Sequence, residues 1–121
     1  MLINDFFTII HRNNSNGIIE ATIKINSSHK IFDGHFPENP ITPGVVQIQL
    51  IKEILEIELT KKWKLQSIGR CKFMAILNPN KDSEIVITIK HKIEEGVLTI
   101  STQGSSRDKS TTFFKFTAKY A

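Results

Sequence analysis

The stretch GHFPENPITPGVVQIQLIKEILEIELTKK, residues 34 to 62, decides the fold, because it joins a stiff loop directly to the one long helical pattern in the chain. Prolines 37, 40 and 43 each fix a backbone φ angle and push the residue before them toward extended conformations. Beyond them, Ile48, Ile51, Leu55 and Leu59 recur at helical spacing, and Val45, Leu50 and Ile54 widen the apolar face. So wide a face predicts a mostly buried helix, with Gln49, Lys52, Glu53, Glu56 and Thr60 as its solvated polar stripe. Thr42 is placed to be its N-cap and Pro43 its first residue, where a missing amide costs nothing.

On the N-terminal side of this stretch, IIEATIKI (18–25) alternates Ile19, Ala21, Ile23 and Ile25 against Glu20, Thr22 and Lys24, the pattern of a half-buried strand entered from a turn at NNSNG (13–17). On the C-terminal side the period changes from helical to alternating. LQSIGRCKFMAIL (65–77) is followed by a turn at NPNKDS (78–83), then by EIVITIKHKI (84–93) with Ile85, Ile87, Ile89 and Ile93 on one face. EEG (94–96) reads as a hairpin loop into VLTISTQ, and GSSRDKS leads to a last strand, TTFFKFTAKY. A strand, one long helix and a run of antiparallel strands predict an α+β fold with the helix packed on one face of the sheet.

At 121 residues, with 40% hydrophobic and 23% charged residues, the chain is expected to form a single domain spanning 1–121. The start MLINDFFTIIHRN lacks a basic n-region and a long apolar core, and no later run is long enough to span a bilayer, so a cytoplasmic protein is expected. The net charge of +4 comes from lysines scattered along the chain, which suits solubility and would also suit an acidic partner. Only FFKFTAKY mixes aromatic and basic residues, and strand alternation explains it, so nucleic-acid binding is not expected. Cys71 is the one cysteine; it excludes an internal disulfide and is expected to be a small buried hydrophobe.

The chemistry concentrates at His35. A reactive side chain needs orientation, which the proline-stiffened loop supplies, and Gly34 and Gly44 bracket it. A glycine in the first helical turn exposes amide donors and the positive end of the helix dipole, an arrangement that can polarise a carbonyl oxygen. Alone, such a histidine is more often a packed loop residue. Together, a base candidate, a rigid loop and a helix start within ten residues favour a site. His91 falls on the apolar face of its strand and is expected in the core; His11 and His29 have no evident partners and receive no role.

These residues carry a resemblance. Gly34, His35, Phe36, Pro37, Pro40, Ile41, Pro43, Gly44 and Val45 match G-H-F-P-x-x-P-I-x-P-G-V-x-x-x-E, the signature of the FabA/FabZ-type 3-hydroxyacyl-(acyl carrier protein) dehydratases. CKFMAILNPNKDSEI (71–85) is a weaker echo of a second family strand, with Lys72, Phe73, Pro79 and Asp82 in comparable places. The resemblance is strong over about a sixth of the chain and implies a hot-dog fold, a long helix wrapped by an antiparallel sheet. It further implies that His35 removes the α-proton of a 3-hydroxyacyl thioester and that the Gly44 amide binds the thioester carbonyl. Phe36, Pro43 and Val45 join Gly44 on the substrate-binding surface. The substrate would be an acyl-ACP or acyl-CoA thioester, with no metal or other cofactor, since the phosphopantetheine arm belongs to the substrate. The protein would be at least a homodimer.

The sequence departs from the signature at Gln49, fourteen residues after His35, where the family has a glutamate contributed across the dimer interface. A carboxylic acid can deliver a proton to the departing hydroxyl, whereas an amide can only hold the hydroxyl or a water. Four readings stay open. His35 performs both proton steps with Gln49 positioning a water; a related subunit supplies the acid in a heterodimer; the chain is a hot-dog thioesterase; or it holds acyl thioesters or a carrier protein without catalysis. Periodicity alone assigns Gln49 to the solvated stripe.

Overall fold

In a computed structural model the chain is described over residues 1–33 and 40–121. The elements are β1 (Phe7–Ser15), β2 (Ile18–Ile25), a 3-10 turn (Lys30–Phe32), α1 (Gly44–Glu58), β3 (Leu65–Phe73), β4 (Glu84–Glu94), β5 (Val97–Ser106) and β6 (Thr112–Tyr120). The strands form one six-stranded sheet in the order β1-β2-β4-β5-β6-β3, and each neighbouring pair is antiparallel.

Alternation sets the inner face of this sheet. Ile19, Ala21, Ile23 and Ile25 of β2, Ile85, Ile87 and Ile89 of β4, Leu98 and Ile100 of β5, and Phe114, Phe116, Ala118 and Tyr120 of β6 are all buried. They form one cluster with Leu50, Ile51, Ile54 and Leu55 of α1, so the helix lies against the concave face that these side chains line. Each fully buried aliphatic side chain in it contributes roughly 1.5–3 kcal/mol. Two-residue turns close the hairpins β1–β2 and β4–β5, with Asn16 (φ 53) and Gly17 (φ 75) in one, Glu95 (φ 52) and Gly96 (φ 79) in the other. Positive φ at both central residues matches the right-handed twist of the strands.

Several expectations shift. NNSNG is not a turn throughout: Asn13–Ser15 extend β1, and only Asn16–Gly17 turn. β1 itself carries no clean alternation because it is a sheet edge with an irregularity between Ile9 and His11, and only Phe7 along it is buried. The helix stops at Glu58, and β3 stops at Phe73 rather than Leu77. Pro43 takes the N-cap position, not Thr42, and Gly44 begins the helix. Thr42 is instead held by its backbone, its amide donating to the Leu77 carbonyl at 3.0 Å.

β4 continues beyond its last pair with β2 at Lys90; His91 is half-buried and sits 3.4 Å from the Asn14 side chain, and Ile93 is exposed. Cys71 is exposed on the free edge β3. His29 does have partners: Nδ1 accepts from the Ile31 amide at 3.0 Å, Nε2 lies 3.1 Å from Asp5, and the ring packs edge-on against Phe6. It thereby caps the 3-10 turn that leads toward the proline loop.

Candidate active site

His35 and Phe36, with Gly34 and Pro37, lie outside the described residues. What is described is the far half of the loop and the helix start it leads into. Pro40 and Thr42 are buried and Ile41 is exposed, so the chain enters α1 anchored on one side and open on the other. The Pro43 carbonyl accepts from the Val46 and Gln47 amides at 3.1 and 3.2 Å, and the buried Gln47 side chain donates to the Thr42 carbonyl at 3.0 Å.

The Pro43 ring carries no hydrogen-bonding atom with which to cap. The amides of Gly44 and Val45 therefore find no acceptor among the described residues, and the helix dipole adds its positive end at the same place. A carbonyl oxygen brought here would meet preorganised donors. Gly44 permits a close approach: a Cβ there would lie 2.7 Å from Cζ of Phe73 and 2.9 Å from its Cε2, and the ring would have to shift. The ring at the end of β3 thus roofs the helix start, and Val45 beside it is 73% exposed.

Gln49 is placed differently. Five residues along a helix is a rise of about 7.5 Å and a rotation of about 140°, so Gly44 and Gln49 face different ways from α1. The structure does not bring them to a common point within one chain. Gln49 instead lines a hollow of about 460 Å³ with Ile48, Lys52, Trp63, Lys64, Leu65 and Tyr120. Among the described residues the buried Tyr120 hydroxyl and Trp63 indole nitrogen have no hydrogen-bond partner, and burial pushes the Tyr120 phenol up to about 12.

Sequence reasoning misplaced Glu53. It is 1% exposed, not part of a solvated stripe. Its carboxylate accepts from the Leu2 amide at 2.8 and 3.0 Å, from the Ile3 amide at 2.8 Å, and from Gln49 Nε2 at 3.0 Å. The N-terminal segment covers it, and that contact leaves no mark on the helix periodicity. Only the four-residue spacing from Gln49 signals a pairing. Among the described residues no cluster of three or more His, Cys, Asp or Glu side chains could hold a metal ion, and no helix is long and apolar enough to cross a membrane.

On the outer face of the sheet a second hollow, also of about 460 Å³, is lined by Arg70, Lys72, Lys90 and Lys115 together with Thr88, Ser101, Gln103 and Thr117. Lys72 and Lys115 are direct cross-strand neighbours. None of the four cations forms an ion pair among the described residues.

Comparisons with known proteins agree with this architecture. The 3-hydroxyacyl-[acyl-carrier-protein] dehydratase FabZ of Lactiplantibacillus plantarum is 31% identical over 101 residues, covering 77% of this chain and 66% of that protein. FabZ of Caldanaerobacter subterraneus is 29% identical over 72 residues, 54% of this chain and 51% of the relative. The chain thus spans about half to two thirds of the length of these curated relatives. Among solved structures, the dehydratase heterocomplex ApeI:P from Xenorhabdus doucetiae superposes with a TM-score of 0.73 at 24% identity, covering 93% of this chain and 96% of that one. A thioesterase from Staphylococcus aureus reaches 0.63 at 10% identity, covering 95% and 91%. These likenesses show the hot-dog fold that helix and sheet display here. A family model described as ApeI-like, ApeI dehydratase, matches residues 11–113, from within β1 to the start of β6, and with that match over most of its length the chain belongs to the ApeI-like dehydratase family.

Proposed function

We propose that the protein catalyses, in the cytoplasm, the reversible dehydration of a 3-hydroxyacyl thioester to the trans-2-enoyl thioester at a site shared between two subunits. The observation that carries this is the helix start, where two amides find no acceptor among the described residues and Phe73 packs against Gly44, at the end of the proline loop that bears His35. In this reading His35 takes the C2 proton as general base. The Gly44 amide and the helix dipole stabilise the negative charge that develops on the thioester oxygen. The C3–O bond then breaks, and the departing hydroxide takes a proton, from the His35 imidazolium or from an acid of a related subunit, to leave as water, closing the balance at one water lost per enoyl product. Phe36, Pro43 and Val45 would line the acyl path.

Gln49 faces away from its own Gly44, so it would serve a neighbouring subunit's site, holding the 3-hydroxyl or a water. Association is supported by an apolar band around the helix start and the free edge β3, where Ile41, Val45, Ile68, Phe73, Met74 and Ile76 are all exposed. An exposed edge strand beside such a band invites covering by another chain. The partner is either a second copy or a related chain. The second form is favoured by one observation: position 49 carries no acid, and the ApeI:P structure is a heterocomplex. A thioesterase reading has less support, since Glu53 is the carboxylate nearest Gln49 and both its oxygens are engaged.

The thioester would be carried on acyl carrier protein or coenzyme A. The basic hollow on the outer face suits an acidic carrier, and salt-sensitive binding would support that source. The test is turnover of 3-hydroxyacyl thioesters on both carriers, followed in both directions by enoyl-thioester absorbance, beside His35→Ala. Turnover abolished in His35→Ala is the expected result. No turnover on either carrier, with the protein alone and with a related subunit added, would sink the proposal.

A further inference from the structure

The contact between Gln49 and Glu53 has a polarity. A carboxylate only accepts, and both Glu53 oxygens already receive backbone N–H groups from Leu2 and Ile3. The Gln49 carboxamide must therefore turn its nitrogen toward Glu53, where it stands 3.0 Å from Oε2. Its oxygen then lies on the edge of the amide away from Glu53, and among the described residues nothing donates to it. Glu53 is one of the few charged groups buried in the molecule, at 1% exposure, and a buried carboxylate held by four N–H contacts is a rigid fixture. An exposed glutamine amide on a helix would turn over freely between its two orientations. This one is denied that freedom on the rim of the hollow it shares with Trp63 and Tyr120.

We propose that Glu53 is a positioning residue: it clamps the Gln49 carboxamide nitrogen-inward and oxygen-outward, so that Gln49 meets the substrate's 3-hydroxyl, or a water, as a hydrogen-bond acceptor. The clamp follows from the geometry of one chain. Its role toward substrate rests on the function proposed above. In the dehydration direction the acceptor fixes the hydroxyl's orientation through its own proton. In the hydration direction it orients the attacking water by one O–H, leaving a lone pair free for C3. The leaving group's proton has to come from elsewhere, which places both proton steps on His35 or brings the acid from a related subunit.

The clamp makes a distinctive demand of Gln49→Glu. Two carboxyl groups at the present separation of 3.0 Å cannot both ionise freely, so they share a proton. In the exchanged pair Gln49→Glu/Glu53→Gln the amide and carboxyl trade places and only one carboxyl remains. Lys52 and Lys64 face position 49 across the hollow, and Met1, Glu56, Lys61 and Lys62 lie around Glu53. These charged groups are the same in both variants, so the difference between them reports the pair itself.

Three measurements test the proposal. In the unsubstituted protein, proton–nitrogen NMR should show the Gln49 side-chain amide, assigned by its loss in Gln49→Met, with one of its two protons strongly protected from exchange. Carboxyl carbon titration should place one midpoint of Gln49→Glu at least about 1 pH unit above that of residue 49 in the exchanged pair. With 3-hydroxyacyl thioesters, Glu53→Gln should lower kcat about 10- to 100-fold with little change in KM, because the introduced amide can donate as well as accept and no longer dictates which edge of Gln49 faces out. A merely structural Glu53 would lower stability and leave both the titration difference and kcat unmoved. An unprotected amide together with equal midpoints would overturn the clamp, and the first of these needs no variant that might fail to fold. Coupled midpoints without turnover in any form would leave the clamp standing and overturn its substrate-facing role along with the proposed function.

Discussion

Replacing Gly44 by alanine separates the stability of the helix start from its chemistry. The new Cβ would lie 2.7, 2.9 and 3.1 Å from Cζ, Cε2 and Cε1 of Phe73, each well inside ordinary carbon contact. Overpacking of this kind costs about 1–3 kcal/mol. Phe73 is 49% exposed and can swing its ring outward, which puts the cost at the lower end. Alanine also recovers up to about 1 kcal/mol of helix propensity. The two nearly offset, leaving a net loss of about 0–2 kcal/mol, a fall in Tm of no more than about 10 °C for a domain of this size. Activity should respond much more, since moving the ring or the first turn displaces the amides that meet the thioester oxygen. Losing one such donor, or shifting it by about 1 Å, costs on the order of 10²-fold in rate. We therefore expect Gly44→Ala to melt close to the unsubstituted protein while kcat/KM, read from enoyl-thioester absorbance, falls about 100-fold. Adding Phe73→Ala makes room for the methyl and should restore about tenfold or more of the loss. Unchanged kcat/KM in Gly44→Ala, or no recovery in the double variant, would refute the assignment of this helix start to substrate.

Three further outcomes are expected. Ile54→Ala, which opens a cavity between α1 and the sheet, should cost about 2–5 kcal/mol in chemical denaturation. Glu95→Asn should raise stability by about 0.5–1 kcal/mol, because asparagine tolerates the left-handed conformation at φ 52 far better than glutamate does; equal denaturation midpoints would count against strain there. Tyr120 titrates at about 12 in the folded chain against 10.0 unperturbed, raised by burial. Its neutral form therefore supports the fold fully below pH 10, and that support, about 2–3 kcal/mol, is lost as pH rises through 12. Tyr120→Phe should flatten the alkaline limb of the stability profile between those values, with little cost at neutral pH since the hydroxyl has no partner among the described residues.

How far the sequence could be read depended on where each signal resides. β2 was legible to the residue at Ile18–Ile25 because one of its faces is buried and the other wet, and alternation records that difference directly. The helix was legible for the same reason, and its start was misjudged by one residue because Thr42 is tied down through its backbone to Leu77, a partner remote in sequence. β1 went unread, since a bulged edge strand buries too little to impose a pattern. At the candidate site, a glycine in the first helical turn with amide donors to offer was read from the sequence, although with Thr42 rather than Pro43 as the cap. The close approach that makes a side chain there displace its neighbour was not, as it depends on Phe73 arriving from another strand. Glu53 was misread as solvated because its cover comes from the N-terminal segment.

The place of β3 in the sheet has a kinetic consequence. Hairpins β1–β2, β4–β5 and β5–β6 join neighbours in sequence, and the longer-range pair β2–β4 buries the inner faces of both its strands, whereas β3 pairs only with β6 at an exposed edge. Docking β3 repays its loop closure with the least burial, since the strand is exposed along its whole length, so β3 should dock last. Phe73 arrives with it. We expect the roof over Gly44 to form after the rest of the core, so that in stopped-flow refolding a tryptophan at position 73 would report later than Trp63. Simultaneous signals would show that the edge folds with the body. If the lag is found, a newly made chain would pass through a stage in which its helix and most of its sheet exist while the reactive end of the molecule is still unroofed.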